Sequence, residues 1–303
     1  MRICSFLPSA TEIVYLLGLG DSLFGVSHEC DFPSGASDKP KVVRSRIDSS
    51  SLSSHEIDAA VTDMMMRGES IYAVAEDVLQ ATNPDLVVTQ RLCEVCAVSF
   101  EDVEEAVSRL DVSPTVLSLD PHGLEDVLDD IKLLGRHTNR ESVAHAAVFN
   151  LRARMDVVRR TVAGVSDRPT VACIEWMNPV IAAGHWVPEM VEAAGGMDVL
   201  GKPGAPSPRL EFERVEAADP DVVILMPCGM NVEQATAEFN ALPDSSRWEN
   251  LRAFKSENAY VVDSGALFSR SGPRLVDGLE VMARLVHPDL FQDQPPQEYC
   301  QKL

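Results

Sequence analysis

Long apolar runs are missing from this sequence. No stretch reaches the ~18 uninterrupted apolar residues that a membrane-spanning helix requires. A Gly-rich phosphate loop ending in Lys, an HExxH pair and a serine elbow are missing too, so nucleotide binding and the hydrolase chemistries those motifs carry have no support. Positive charge is scarce: 26 Lys and Arg stand against 47 Asp and Glu, a net charge of -21. Phosphate backbones are held by basic patches, so nucleic acid is excluded as a partner. The acidic residues are spread along the chain and form no tail, which reads as a solvated acidic surface. The first residues, MRICSFLPSATEIVYLLGLG, lack the basic region, apolar core and small-residue cleavage site of a secretory signal. The expectation is a cytoplasmic protein, or an extracytoplasmic one if the N-terminus was trimmed.

Cysteine is present seven times, at Cys4, Cys30, Cys93, Cys96, Cys173, Cys228 and Cys300. An odd count does not suggest a disulfide framework, and reduced thiols are expected. Cys4 and Cys173 lie in strand-like runs and read as core, whereas Cys300 lies in a polar tail.

The 303 residues are 45% hydrophobic and 24% charged, the balance of an ordinary globular chain with room for two packed lobes. Arg2 to Leu7 reads as a strand. Ser9 or Thr11 then reads as the cap of a helix ended by Gly18 and Gly20. Further strands are expected at Leu23 to Val26, Leu86 to Thr89 and Thr115 to Leu119, with helices at Val74 to Ala81 and Phe100 to Leu110. From about Gly123 to Val162, apolar residues recur at helical spacing with few turn signals. This predicts one long helix, or two nearly continuous ones, with Gly135 and Thr138-Asn139 marking a bend. Beyond it the alternation resumes, with strands at Thr170 to Ile174, Val222 to Leu225 and Ala259 to Val262. Helices are expected at Pro188 to Ala194, Glu213 to Ala218, Val232 to Asn240 and Arg274 to Leu285. Strands alternating with helices imply parallel sheets.

The fold class is therefore α/β. Two Rossmann-like lobes with parallel sheets, residues 1–122 and 165–303, are joined by a long linking helix over 123–164. The halves repeat one device: a helix, an Asx-Pro stop at Asn83-Pro84 or Asp219-Pro220, then a buried strand ending near cysteine. Ligands of open parallel sheets bind beyond the carboxyl ends of strands. Facing lobes would bring Cys93, Cys96 and Cys228 to one cleft. Cys-x-x-Cys can give two thiolates to one ion, with Cys30, His28 or Cys228 completing a zinc or iron set. It can equally be a redox pair or small packing residues.

The order of motifs resembles the substrate-binding proteins of ABC importers for vitamin B12 and iron-siderophores. The resembling pieces are RICSFLPSATEIVYLLGLGDSLFGVSHECDFP, NPDLVV, the linking helix, CIEWMNPVIAAGHWVPEMVEAAGG, DPDVVI and SGPRLVDGLEVMARL, from about Arg2 to Leu285. The resemblance implies two α/β lobes, a rigid backbone helix, and a corrinoid (cobalamin-like) or other metal chelate held between the lobes without chemistry on it. It implies ligand-facing positions at Pro8, Ser9, His28, Glu29, Gln90, Glu175, Trp176, His185, Trp186 and Phe268. It also implies an ABC permease partner, docked by an acidic residue seven before each Pro-Asp. Those residues are Glu213 and Asp77, the latter with Glu76 beside it. Arg44 or Arg46 stands roughly where B12-binding members carry a cleft tryptophan. The segment Ile47 to Gly68 looks inserted. The rival reading is a cytoplasmic metalloprotein, an enzyme or metal-cofactor handler, whose Cys30, Cys93, Cys96 and Cys228 hold an ion.

Overall fold

The computed structural model describes residues 1–49, 52–91, 97–291 and 293–303. The chain divides into two compact units. The first holds Met1–Pro121 and Glu125–Val148, and the second His122–Leu124 and Phe149–Leu303.

The first unit contains β1 (Ile3–Ser5), α1 (Pro8–Leu16), β2 (Leu23–Ser27), β3 (Lys41–Ser45), α2 (Ser54–Met66) and β4 (Tyr72–Val74). It continues with α3 (Glu76–Thr82), β5 (Leu86–Thr89), α4 (Phe100–Ser108) and β6 (Thr115–Ser118). Its six-stranded sheet runs β4-β3-β2-β1-β5-β6. All pairings are parallel except β3 with β4. The central strands β1 and β5 are buried along their whole length. That is the signature of a parallel sheet covered on both faces, and it explains why their sequences are continuous apolar runs rather than alternating ones. Each fully buried Val or Ile contributes roughly 1.5–3 kcal/mol.

Several local expectations are corrected here. Helix α1 is not capped by Ser9 or Thr11. Leu7 is its extended N-cap and Pro8 occupies the first turn, where a missing N–H costs nothing. Val74 ends a strand, and the following helix starts at Glu76. The inserted-looking segment contains α2, whose Ser53 and Glu56 form a reciprocal capping box.

The linking region is two helices, α5 (Leu124–His137) and α6 (Glu141–Val162). Asn139 takes a left-handed φ of 56° between them. Gly135 permits the bend, because a Cβ there would lie 2.5 Å from the Ala144 Cβ.

The second unit contains β7 (Thr170–Met177), β8 (Val180–Ala182), α7 (Val187–Ala193), β9 (Met197–Asp198), α8 (Phe212–Ala218) and β10 (Val222–Leu225). Then come α9 (Val232–Asn240), α10 (Ser245–Glu249), α11 (Arg252–Lys255), β11 (Ala259–Val262), α12 (Ser264–Leu267), α13 (Leu275–Val286) and β12 (Cys300–Lys302). The sheet runs β12-β11-β10-β7-β8, with β9 also beside β7. Its core gathers Ala172, Ile174, Val223, Leu225, Trp248 and Val261. Cys300 belongs to an antiparallel edge strand paired with β11, not to an unstructured tail.

Helix α13 is tied to α6 by one arginine. Arg154 reaches Glu280 through Nε and Nη2, both at 2.9 Å, and Asp277 through Nη2 at 2.5 Å. The guanidinium is about two-fifths exposed, so water screens much of this attraction. Arg154→Ala is expected to cost about 1–2 kcal/mol in urea denaturation, with the loss shrinking in high salt. A loss below about 0.3 kcal/mol would show that the fork contributes nothing beyond its exposed component.

Candidate functional site

In the first unit the ligand candidates sit at the carboxyl ends of three neighbouring strands, β2, β1 and β5. The chain leaves β1 through Phe6 and Leu7 and enters α1 at Pro8 and Ser9. The Ser5 hydroxyl donates to Leu7 O at 2.8 Å, and Thr11 Oγ1 donates to Ser5 Oγ at 2.9 Å, fixing that corner. After β2, the His28 N–H bonds Val43 O at 3.1 Å and the Cys30 N–H bonds Ser27 O at 3.1 Å. These bonds curl His28, Glu29 and Cys30 into a tight turn. His28 Nε2 lies 3.9 Å from Glu29 Oε1, and the His28 ring meets Tyr72 with centroids 5.8 Å apart. After β5, Gln90 is buried. The next residue, Arg91, gives its N–H to Asp120 and lays its guanidinium over the Phe100 ring at 3.5 Å.

The thiols divide by environment. Cys4 is buried against Thr82 Oγ1 at 3.1 Å, and burial pushes its thiol up to about 11. Cys173 is fully buried and shifted the same way, again by desolvation. Both are core residues, as expected. Cys30 is buried with its sulfur 3.1 Å from Thr11 Oγ1, and Cys228 is exposed. Cys93 and Cys96 lie outside the described residues. Among the described residues, no group of three His, Cys, Asp or Glu could hold a metal ion.

In the second unit Glu175 and Trp176 lie near the carboxyl end of β7, whereas His185 and Trp186 follow the antiparallel β8 and Phe268 follows α12. The pairing of β7 with β8 shifts register between Ile174 and Trp176, so Glu175 sits at a bulge. Its carbonyl accepts the Cys228 N–H at 3.1 Å, joining the end of β10 to that of β7. The Trp186 indole is buried and donates through Nε1 to Phe268 O at 2.8 Å. Phe268, also buried, follows α12, so this bond ties the loop before α7 to the end of α12.

His185 is the strained member. Its φ is +53°, a left-handed conformation rarely taken by a residue with a side chain. Two backbone bonds hold it there: His185 N–H to Ala205 O at 2.7 Å and Gly204 N–H to His185 O at 2.8 Å. The preceding Gly184 is obligatory, because a Cβ would sit 2.5 Å from Ser207 N and 2.6 Å from Ala205 O. Burial lowers the His185 imidazole from its ordinary range, and nearby His122 adds to the effect, so the ring favours its neutral form. His185 Nδ1 and Trp176 Nε1 are both buried without a hydrogen-bond partner among the described residues.

The two acids expected at a partner surface are both exposed, each in the first turn of a short helix. Asp77 is on α3, beside Glu76, whose carboxylate takes Arg109 Nη1 at 2.5 Å. Glu213 is on α8 and shares Arg247 with Glu216, at 2.9 and 2.8 Å. The helix-start N–H of Glu213 and the Arg247 side chain hold its carboxyl below the usual range. Both helices end alike, at a left-handed Asn83 (φ 47°) or Asp219 (φ 38°) followed by proline. Sequence reasoning missed Tyr72, which the antiparallel β4 brings to His28. It also missed the Ser264–Ser269 hydroxyl pair at 2.6 Å beneath the Cys228 loop. Tyr72 carries no local signal, since it depends on strand pairing, whereas the serine pair is set by the turn that ends α12, where Ser269 N–H also bonds Ser264 O.

Two α/β units built on mostly parallel sheets, with candidate residues in the loops that follow their strands and helices, define a ligand-binding class of protein. The family described as periplasmic binding protein matches residues 3–266, and the chain belongs to it. An ABC transporter substrate-binding lipoprotein of Bacillus subtilis, YvrC, is 24% identical over 299 residues, covering 96% of this chain and 82% of that protein. A vitamin B12-binding protein of Vibrio cholerae is 22% identical over 295 residues, covering 92% and 86%. Among solved structures, the periplasmic vitamin B12 binding protein BtuF of Vibrio cholerae has a TM-score of 0.70 at 21% identity, covering 95% of this chain and 96% of that one. A periplasmic heme binding protein from Pseudomonas aeruginosa has a TM-score of 0.75 at 20% identity, covering 99% and 97%. These likenesses bear out the expected fold class.

Proposed function

We propose that this protein binds a corrinoid or another metal chelate and presents it to an ABC permease. Each unit offers the face at the carboxyl ends of its strands. The observation that carries the reading is a pair of buried polar atoms without a hydrogen-bond partner among the described residues, Trp176 Nε1 and His185 Nδ1, the His185 ring lying 5.7 Å from that of Trp186. An indole N–H and a neutral imidazole suit the polar rim of a flat chelate, and the neighbouring Trp186 ring suits its face. His28, Glu29 and Gln90, with Pro8 and Ser9, are the first unit's contribution. Asp77 and Glu213 are the proposed permease contacts, with exposed carboxylates positioned to meet basic groups.

No observation favours the metalloprotein alternative. Cys30 is engaged by Thr11, and the described residues offer no ligand cluster. The cytoplasmic expectation gains no support either. It rested on the first residues alone, and the relatives are described as a lipoprotein and as periplasmic proteins. We place the protein outside the cytoplasm. No helix among the described residues is long and apolar enough to cross a membrane.

The test is a tryptophan-fluorescence titration with cyanocobalamin, hemin and a ferric hydroxamate. At least one should bind at about micromolar Kd or tighter. His185→Ala should weaken that ligand roughly tenfold without changing the circular dichroism spectrum. If none of the three binds by about 100 µM, the reading fails.

A further inference from the structure

Helix α6 carries a second apolar face that the fold leaves open. Ala144, Val148, Leu151, Met155, Val158 and Val162 form its buried side. On the opposite side Val143, Ala146, Asn150, Ala153 and Val157 are exposed. Their spacing is three, four, three, four, the seam spacing of two helices packed side by side. Phe149, beside the seam, is 74% exposed, and Val157 is 54% exposed. Large exposed apolar groups in a row mark an interaction surface rather than a solvated face.

The seam reads the same in both directions about Asn150: valine, alanine, asparagine, alanine, valine. A helix with that symmetry is complementary to an antiparallel copy of itself, the requirement of an isologous two-fold contact. The flanking residues fit the same arrangement. Pairing positions whose numbers sum to about 300 sets Glu141 against Arg160, His145 against Asp156, and Phe149 against Arg152. The first of these pairs is charge-complementary, and the third sets a cation over a ring. Ala146 and Ala153 are small enough for close approach of the two backbones. The central Asn150 faces its own mate, a polar seam position that fixes register.

We propose that this face of α6 is the contact between two copies of the chain, packed antiparallel about Asn150. A single helix pair covers less than the roughly 1,200 Å² at which stable interfaces begin, so the dimer is weak and concentration-dependent.

Sedimentation equilibrium from about 5 to 200 µM tests this, a range chosen for a weak contact. The apparent mass should rise from 33.1 kDa toward twice that value. Ala153→Glu and Phe149→Asp should each hold the protein at the monomer mass with an unchanged circular dichroism spectrum. Asn150→Cys, oxidised, should give a cross-linked dimer on a non-reducing gel. A wild-type protein that stays at 33.1 kDa throughout overturns the proposal. So does a dimer that survives Ala153→Glu, because its contact lies elsewhere. Flotation of a monomer with phosphatidylglycerol vesicles, lost on Phe149→Asp, would overturn it in favour of a lipid surface.

Discussion

Replacing Asp130 by asparagine is expected to raise the melting temperature at pH 8 by roughly 5–10 °C and to leave it unchanged at pH 4. Asp130, on α5, is only 9% exposed, and its Oδ2 has no hydrogen-bond partner among the described residues. Burial disfavours the charged form, and Asp120, Asp126 and Asp129 repel it further, so its pKa rises from 3.8 to about 7. The sign follows from proton binding. Between about pH 4 and pH 7 the folded protein holds a proton that the unfolded chain has released. Stability therefore falls as pH rises through that window and levels off above it. A shift of this size corresponds to about 2–4 kcal/mol at pH 8, allowing for partial solvent access. Asparagine keeps the shape and cannot ionise, so it escapes that cost. Parallel melting curves of both proteins from pH 4 to pH 8 would show their difference opening steadily. A difference independent of pH would mean that ionisation of Asp130 is not its cause.

The second large effect is expected at Trp186. Trp186→Ala removes a buried indole and leaves Phe268 O without its donor. The expected cost is about 3–5 kcal/mol, read from the urea midpoint. Trp186→Phe separates the two contributions. It retains most of the ring contact and should lose only about 1 kcal/mol for the hydrogen bond. The proposed ligand contact of the Trp186 ring should behave differently from the stability. Phenylalanine should preserve ligand affinity within a fewfold, while alanine should abolish binding even where the protein remains folded. Equal losses for both variants would show that the indole N–H, not the face of the ring, is what matters.

Much of this fold was legible because parallel strands covered on both faces must be continuous apolar runs. Leu86 to Thr89 and Val222 to Leu225 appear in the sequence as they appear in the structure. The break between α5 and α6 was legible as well, since Gly135 and Asn139 are residue types that tolerate a bend. The short strands β4, β8, β9 and β12 were not. Two or three residues carry no periodicity, and pairing alone defines them. The start of α1 is set by Pro8, a stronger signal for a first turn than the hydroxyls of Ser9 and Thr11. At the candidate site, the loops could be placed after strands, but not the strain at His185. Nothing local distinguishes a histidine held at positive φ. The hold comes from Gly204 and Ala205, some twenty residues downstream.

That hold has an evolutionary consequence. The direction in which the His185 ring points is dictated by the stretch from Lys202 to Ser207, which lies apart from it in the chain. Drift in that stretch, including its Gly204 at φ +70°, would re-aim the imidazole without altering the histidine itself. If His185 meets the ligand as proposed, preference in related chains would diverge through that stretch while the histidine itself stays the same.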